Sequence, residues 1–555
     1  MRAAVWTPLA LFALPLLRQV DEPPAPGPGV QPSSSCARCH SNAPAATAMR
    51  DAKQRPIAPF DLWRGTMMAN SARDPLWRAV VSAEVAALPT RQAEIEATCL
   101  GCHSPMAEQV GLDDHGTGSL MHVLDCDSAL GELARDGVSC TICHGISPEG
   151  LGTQESYSAG YRLNPERRLY GPHEAPFTMP MQRFTGFTPT HGEHISDSAL
   201  CGTCHTLETP VLDAQGHDVG GVFLEQAPYL EWRNSFFNDE LDEPGPLAAS
   251  CQDCHAPTRD EDGEPLTTRI VRNPMGRDFP QIEPREPFGR HLFVGGNTLV
   301  LSMLRDHPEA LGVEAPAEAF EASVAATRAQ LRERTARVRI GDLRDSDDKL
   351  SFAVSVQNLT GHKLPSAHPT RRAWLRVVVR DESGQVLFAS GDVDSRGRIL
   401  GADGQPLGSE LAGGPIEPHR DSIRTGDEVA TYQAVMADSN GEPTHTLMRG
   451  AKWYVDDRLL PAGWDPNHPE AARTAPVGVD GDEDFKADGD RVHFELDLVV
   501  PGRLTIEASL LYQTLNARWA AELFRYETPE VELFRSLYDQ ADLTPEVLAS
   551  DVWEG

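Results

Sequence analysis

The chain has 555 residues and a formal net charge of −33, long enough for two or three domains and a sizeable core. An acidic surface of this strength repels nucleic acid and anionic membrane surfaces, which argues against both as partners and favours a basic protein partner.

Taken in chain order, residues 3–17 follow Arg2 as the one long apolar run, of signal-peptide rather than membrane-spanning length. Residues 1–20 are therefore expected to be a signal peptide or an uncleaved N-terminal anchor, with no other membrane span, and the protein is expected to be exported, periplasmic or extracellular. Residues 21–35 are rich in Pro, Gly and Ser and read as an extended linker.

From Cys36 onward the pattern Cys-x-x-Cys-His occurs five times: Cys36, Cys39, His40; Cys99, Cys102, His103; Cys140, Cys143, His144; Cys201, Cys204, His205; and Cys251, Cys254, His255. Two thiols at this spacing can each add to a vinyl group of one haem while the adjoining imidazole binds its iron, so each pattern predicts one covalently attached haem c, five in all. With 11 Cys and 19 His, random placement would give about 0.01 such patterns in the chain. Structural zinc sites combine Cys pairs two at a time and need no His directly after each pair. A thioredoxin-type disulfide comes singly on a βαβ unit. Cys126 is left over and is expected to be a buried small hydrophobe.

Residues 36–308 thus read as a haem-cored domain of irregular chain and short helices, among them Ser71–Leu88 and Asp127–Arg135. Residues 309–336 are Ala-, Glu- and Arg-rich and predict a connecting helix with Phe320, Val324 and Leu331 on one face. Beyond it the apolar period changes to two. Strands are expected at Val338–Leu343, Leu350–Gln357, Ala373–Val379, Val386–Ala389, Glu428–Met436, Lys452–Asp456, Val492–Val500 and Leu504–Tyr512, with a turn at Asp381–Gly384. Residues 337–530 predict an antiparallel β-sandwich, Ala472–Asp490 an exposed mobile loop, and 531–555 a C-terminal tail. The fold class is α+β.

The haem segment resembles the multihaem cytochrome c superfamily of tetrahaem carriers, hydroxylamine oxidoreductase and pentahaem nitrite reductase. The matching residues are CARCH, Trp63 within DLWRGTMMANSARDP, CLGCH, GVSCTICHG at Gly137–Gly145, and His194 seven residues before Cys201. YGPH, FLEQAPYLEW, HLFVGGN and NLTGHKLP are similar to segments of other exported multihaem cytochromes. The resemblance implies haems packed close enough for electron tunnelling. Pentahaem nitrite reductases hold their catalytic haem with Lys, whereas all five patterns here end in His.

An electron-transfer haem needs a second axial ligand, and a substrate-binding haem leaves that side open. The resemblance places such ligands between the third and fourth motifs, at His173 and His194, with His191 able to replace the latter. It also aligns Met68, five residues after Trp63, with a ligand His of the tetrahaem carriers, so that one His/Met haem is implied. His291 opens a Gly-rich turn after the fifth motif, His362 ends a predicted strand whose loop could reach the haems, and His122 lies eighteen residues before Cys140. His115, His217, His307, His368, His419, His445, His468 and His493 read as surface or structural. The expected function is an exported pentahaem electron carrier between redox partner proteins with no catalytic residues. The alternatives are an oxidoreductase in which one open haem acts on a small nitrogen or sulfur compound, and a binding module built on the sandwich.

Overall fold

The computed structural model describes residues 29–111, 119–346, 348–499 and 502–555. The expected signal peptide or anchor, most of the linker and His115 lie outside them. Among the described residues no helix is long and apolar enough to cross a membrane.

The fold is α+β. The N-terminal part is assembled from short helices and two small strand pairs, β1 (Arg168–Gly171) with β2 (Thr188–His191), parallel, and β3 (Leu207–Leu212) with β4 (Asp218–Gln226), antiparallel. The helix expected at Ser71–Leu88 spans Pro75–Ala87. It begins where Asp74 accepts from the Leu76 and Trp77 amides and where proline fits the first turn.

The expected connecting helix is two pieces, Pro308–Leu311 and Ala317–Arg334, because Gly312 takes a left-handed φ of +60° and ends the first. After it come β5 (Ala336–Ser346), β6 (Lys349–Asn358), β7 (Arg372–Asp381), β8 (Val386–Ser390), β9 (Ser422–Ile423), β10 (Thr431–Ala437), β11 (Pro443–Thr444), β12 (Lys452–Asp456), β13 (Gly489–Leu496), β14 (Leu504–Gln513) and β15 (Glu546–Glu554). Four of them form a sheet in the order β5-β6-β13-β9. Seven form the other, ordered β11-β10-β7-β14-β15 with β12 on β10 and β8 on β7. The β7–β8 turn is built by Asp381, whose carboxylate accepts from the Ser383 and Gln385 amides, and by Gly384 at φ +83°.

Alternate residues of the two sheets meet in one core, including Val338, Phe352, Val354, Val377, Val379, Ile506 and Leu510. Phe352 and Phe494, paired across β6 and β13, stack with ring centres 4.8 Å apart. The expected tail is instead structural. Pro529–Tyr538 is a helix whose Val531, Phe534 and Leu537 pack with Leu76 and Val80 of the Pro75–Ala87 helix, and β15 completes the larger sheet along β14. The expected mobile loop is also corrected: Thr474, Phe485 and Asp490 within it are buried.

Two buried polar contacts join the N-terminal part to the sandwich. The Glu84 carboxylate accepts from the Leu447 amide at 2.6 Å and the Met448 amide at 3.2 Å. Glu231 accepts from the Lys363 amide at 3.1 Å and pairs with Arg458 at 3.1 Å, while Lys363 and Arg458 both bond Asp456 at 2.6–2.8 Å. The fixed position of this network sets the Thr360–Pro365 loop, and with it His362, against the N-terminal part.

Candidate haem-binding sites

Each motif lies on or at the end of a short helix: Ser33–His40, Gln92–His103, Cys140–Cys143, Ser198–Gly202 and Cys251–His255. One helical turn brings the two thiols and the imidazole to the same side. The fifth helix is started by a reciprocal cap in which Ser250 and Asp253 each bond the other's amide.

Three of the five motif histidines bond a backbone carbonyl through Nδ1, His103 to Ser71 (3.4 Å), His144 to Tyr170 (2.6 Å) and His255 to Val294 (2.6 Å), and the Ile270 backbone is a partner of His40. A bond of that kind fixes the tautomer and ring angle and leaves Nε2 free to bind a metal. Burial pushes His40, His103 and His205 down to about 4 and lowers His144 and His255 as well. These shifts favour the neutral imidazole, the state that binds iron. Burial also pushes the Cys143 thiol up to about 12.

The motifs approach one another in a definite order. The Cys36 thiol lies close enough to that of Cys140 for each to shift the other's titration, and the same holds for Cys102 with Cys204 and for Cys201 with Cys251. Flanking contacts agree with this grouping. Ser33 bonds Asp136 just before the third motif at 2.6 Å, and the Cys251 amide bonds Ser198 beside the fourth at 2.9 Å. Tyr161 bonds the Gly101 carbonyl of the second motif while nearby Ala159 bonds the Thr203 carbonyl of the fourth. The first motif thus lies against the third, and the fourth lies between the second and the fifth.

Among the expected second ligands, His291 sits opposite His144. Their ring centres are 6.2 Å apart with planes 21° from parallel, and His291 bonds the Gly289 carbonyl through Nδ1 at 3.0 Å. Metal–imidazole bonds of about 2 Å put two rings sharing one metal at about this separation. His362 bonds the Lys363 carbonyl through Nδ1 at 3.0 Å, and after burial its charge is the strongest influence on His255.

Other candidates are placed differently. His194 is buried but turns Nε2 to the Ile146 carbonyl at 3.0 Å, with its ring edge-on to Tyr170, so that nitrogen is engaged by backbone. His122 is exposed, 3.7 Å from the Sγ of Cys126, and Cys126 is only half-buried, contrary to the expectation of a buried hydrophobe. His173 is half-buried near Arg285 and His191, and burial lowers its basicity first, then those two charges. Met68 is half-buried. Its carbonyl accepts from the Val138 amide at 2.9 Å, which places it between the second motif and the chain entering the third.

His368 was read as surface or structural. Burial, then the charges of Arg371 and His103, push it down to about 3. It lies six residues after His362 on the same loop, and that shared loop was the available signal.

No family model and no curated protein matches this chain. Among solved structures it is similar to the crystal structure of a penta-heme cytochrome c552 from Thermochromatium tepidum, at 16% identity and a TM-score of 0.49, covering 95% of this chain and 100% of that one.

Proposed function

We propose that the protein is an exported pentahaem c-type cytochrome that carries electrons between redox partner proteins. The observation that carries this reading is the donor set: five Cys-Cys-His groups, four of whose imidazoles have a backbone carbonyl as partner. These residues fit haem c, which supplies the one-electron chemistry when bound. The chain's part is to fix the angle of each imidazole, keep it unprotonated, and hold the attachment sites side by side. With the first motif beside the third and the fourth between the second and the fifth, electrons would pass between haems held by these neighbouring motifs. His291 opposite His144 and His362 toward His255 supply second ligands, and His173 and Met68 stay candidates for the others. The acidic surface favours a basic donor or acceptor.

A second reading, an oxidoreductase acting on a small nitrogen or sulfur compound, is favoured by one observation. Among the described residues His205 alone of the motif histidines shows no backbone carbonyl partner, and the Arg371 charge is among those that lower its basicity, after burial and His255. A guanidinium beside an open iron suits an anionic molecule.

Low-temperature electron paramagnetic resonance of the oxidised protein separates the two. A carrier shows only low-spin iron, whereas a high-spin signal that shifts on adding nitrite supports the enzyme and overturns the carrier reading. In the carrier reading, His362→Ala converts one low-spin haem to high spin.

A further inference from the structure

Within the sandwich, apart from the cysteine motifs in sequence, a histidine is surrounded by three carboxylates. His419 Nε2 is 2.9 Å from Asp482 Oδ2, and its Nδ1 faces Asp457 Oδ2 at 3.5 Å. Ligand atoms of His419, Asp482 and Asp490 all lie within 4.8 Å of one another. The side chains of His419, Asp457 and Asp482 are 6%, 0% and 2% exposed, and Asp490 is buried as well.

Most of these atoms already have partners. Asp490 accepts from the Tyr432 hydroxyl at 2.8 Å across the two sheets, Asp457 accepts from the Gln433 amide at 2.7 Å, and Asp482 caps the Asp484 and Phe485 amides. Two do not: His419 Nδ1 and Asp457 Oδ2 are buried, point at each other, and make no hydrogen bond. Three buried carboxylates also face a single imidazole, so even an imidazolium leaves an excess of negative charge in a setting where unpaired charge is expensive.

We propose that this cluster is a binding site for a divalent cation of the zinc class, with His419, Asp482 and Asp490 as ligands and Asp457 orienting the imidazole. Zinc accepts mixed nitrogen and carboxylate ligands at about 2.0–2.2 Å, which modest side-chain movement reaches from the separations seen. The Asp457–His419 contact has the form of the carboxylate–histidine–metal arrangement that sets the ring of a metal-bound histidine. The ion would neutralise the carboxylates and tie the chain before β9 and the Asp480–Asp490 loop to the edge where the two sheets meet. A neighbouring, more exposed group, Asp421, Asp484 and His493, lacks this burial and orientation and serves as the control.

The test uses the haem-loaded full chain, stripped with a chelator, dialysed and titrated with Zn²⁺ by calorimetry, with iron content as the internal protein count. One zinc per chain binds, and it raises the thermal midpoint of the parent. Asp482→Asn and Asp490→Asn weaken binding at least ~100-fold, Asp457→Asn about 10- to 100-fold, and His493→Ala leaves it unchanged. The proposal fails if no zinc binds with this stoichiometry, if His493→Ala abolishes binding, or if Ca²⁺ is preferred to Zn²⁺. It fails equally if folded Asp482→Asn and Asp490→Asn proteins bind as the parent does. Should those variants misfold, the parent and His493→Ala titrations decide.

Discussion

The two halves of the molecule are held together by different means. The sandwich gathers its apolar residues into one core, with Val354, Val377, Val379, Ile506 and Leu510 all at 0% exposure. The N-terminal half spreads its apolar residues over several small clusters, and its motif side chains, gathered from five places in the chain, remain half-buried or exposed as they face one another. Side-chain burial at about 25 cal/mol per Å² can organise the sandwich on its own, whereas on the proposed reading the N-terminal half would depend on the haems its cysteines hold.

The largest test of that contrast is the full chain made in a host that exports it without attaching haem. Strand ellipticity and protection of residues 337–555 from limited proteolysis are expected to persist while the Cys36–His255 region is cleaved rapidly. Equal resistance of both halves would remove the distinction.

The next effect lies where the halves meet. Lys363→Ala leaves Arg458 as the one cation against buried Asp456 and Glu231 and is expected to cost about 3–5 kcal/mol in denaturant unfolding. The same network gives an acid limit. The Asp456 carboxylate suffers from burial, but Arg458 and Lys363 outweigh this and hold it at about 2 rather than 3.8. Its contribution is therefore present above pH 3.8 and lost as pH falls toward 2.

Glu84 has the opposite sign. Burial pushes it from 4.5 up to about 8 despite the two amides it accepts from, so the folded state holds a proton that the unfolded state releases. Its share of stability falls as pH rises from 4.5 to 8. Thermal midpoints should peak between about pH 4 and 5 as far as these two groups decide. Glu84→Gln should flatten the decline toward pH 8 at a cost of about 1 kcal/mol near pH 5. The smallest effect belongs to the exposed Arg396–Asp539 pair, 2.6 Å apart, whose removal should cost less than about 1 kcal/mol.

Much of this was legible in the sequence. Lys452–Asp456 is found as read, and the alternating runs at 350–357 and 373–379 sit inside β6 and β7, whose alternate residues fill the core of the sandwich. The tail was misread because the Pro529–Tyr538 helix and β15 are defined by distant partners, Leu76, Val80 and β14. Local propensity carries no trace of these partners. The loop at 472–490 was misread for its acidity. The charges that suggested solvent, Asp482 and Asp490, are turned inward onto His419 and Tyr432.

The motif residues were explicit because covalent chemistry fixes their spacing. The candidates for second ligands were less so, because a histidine such as His291 is brought opposite His144 by tertiary approach alone, 147 residues away in the chain. His194, which the resemblance implied as a ligand, has its Nε2 turned to the Ile146 carbonyl.

The most direct test of the central claim is the intact mass of the denatured protein from an export-competent host able to mature c-type cytochromes. The account predicts the polypeptide mass plus five haems, one for each Cys-x-x-Cys-His group. A fully matured protein carrying four haems or fewer would contradict it.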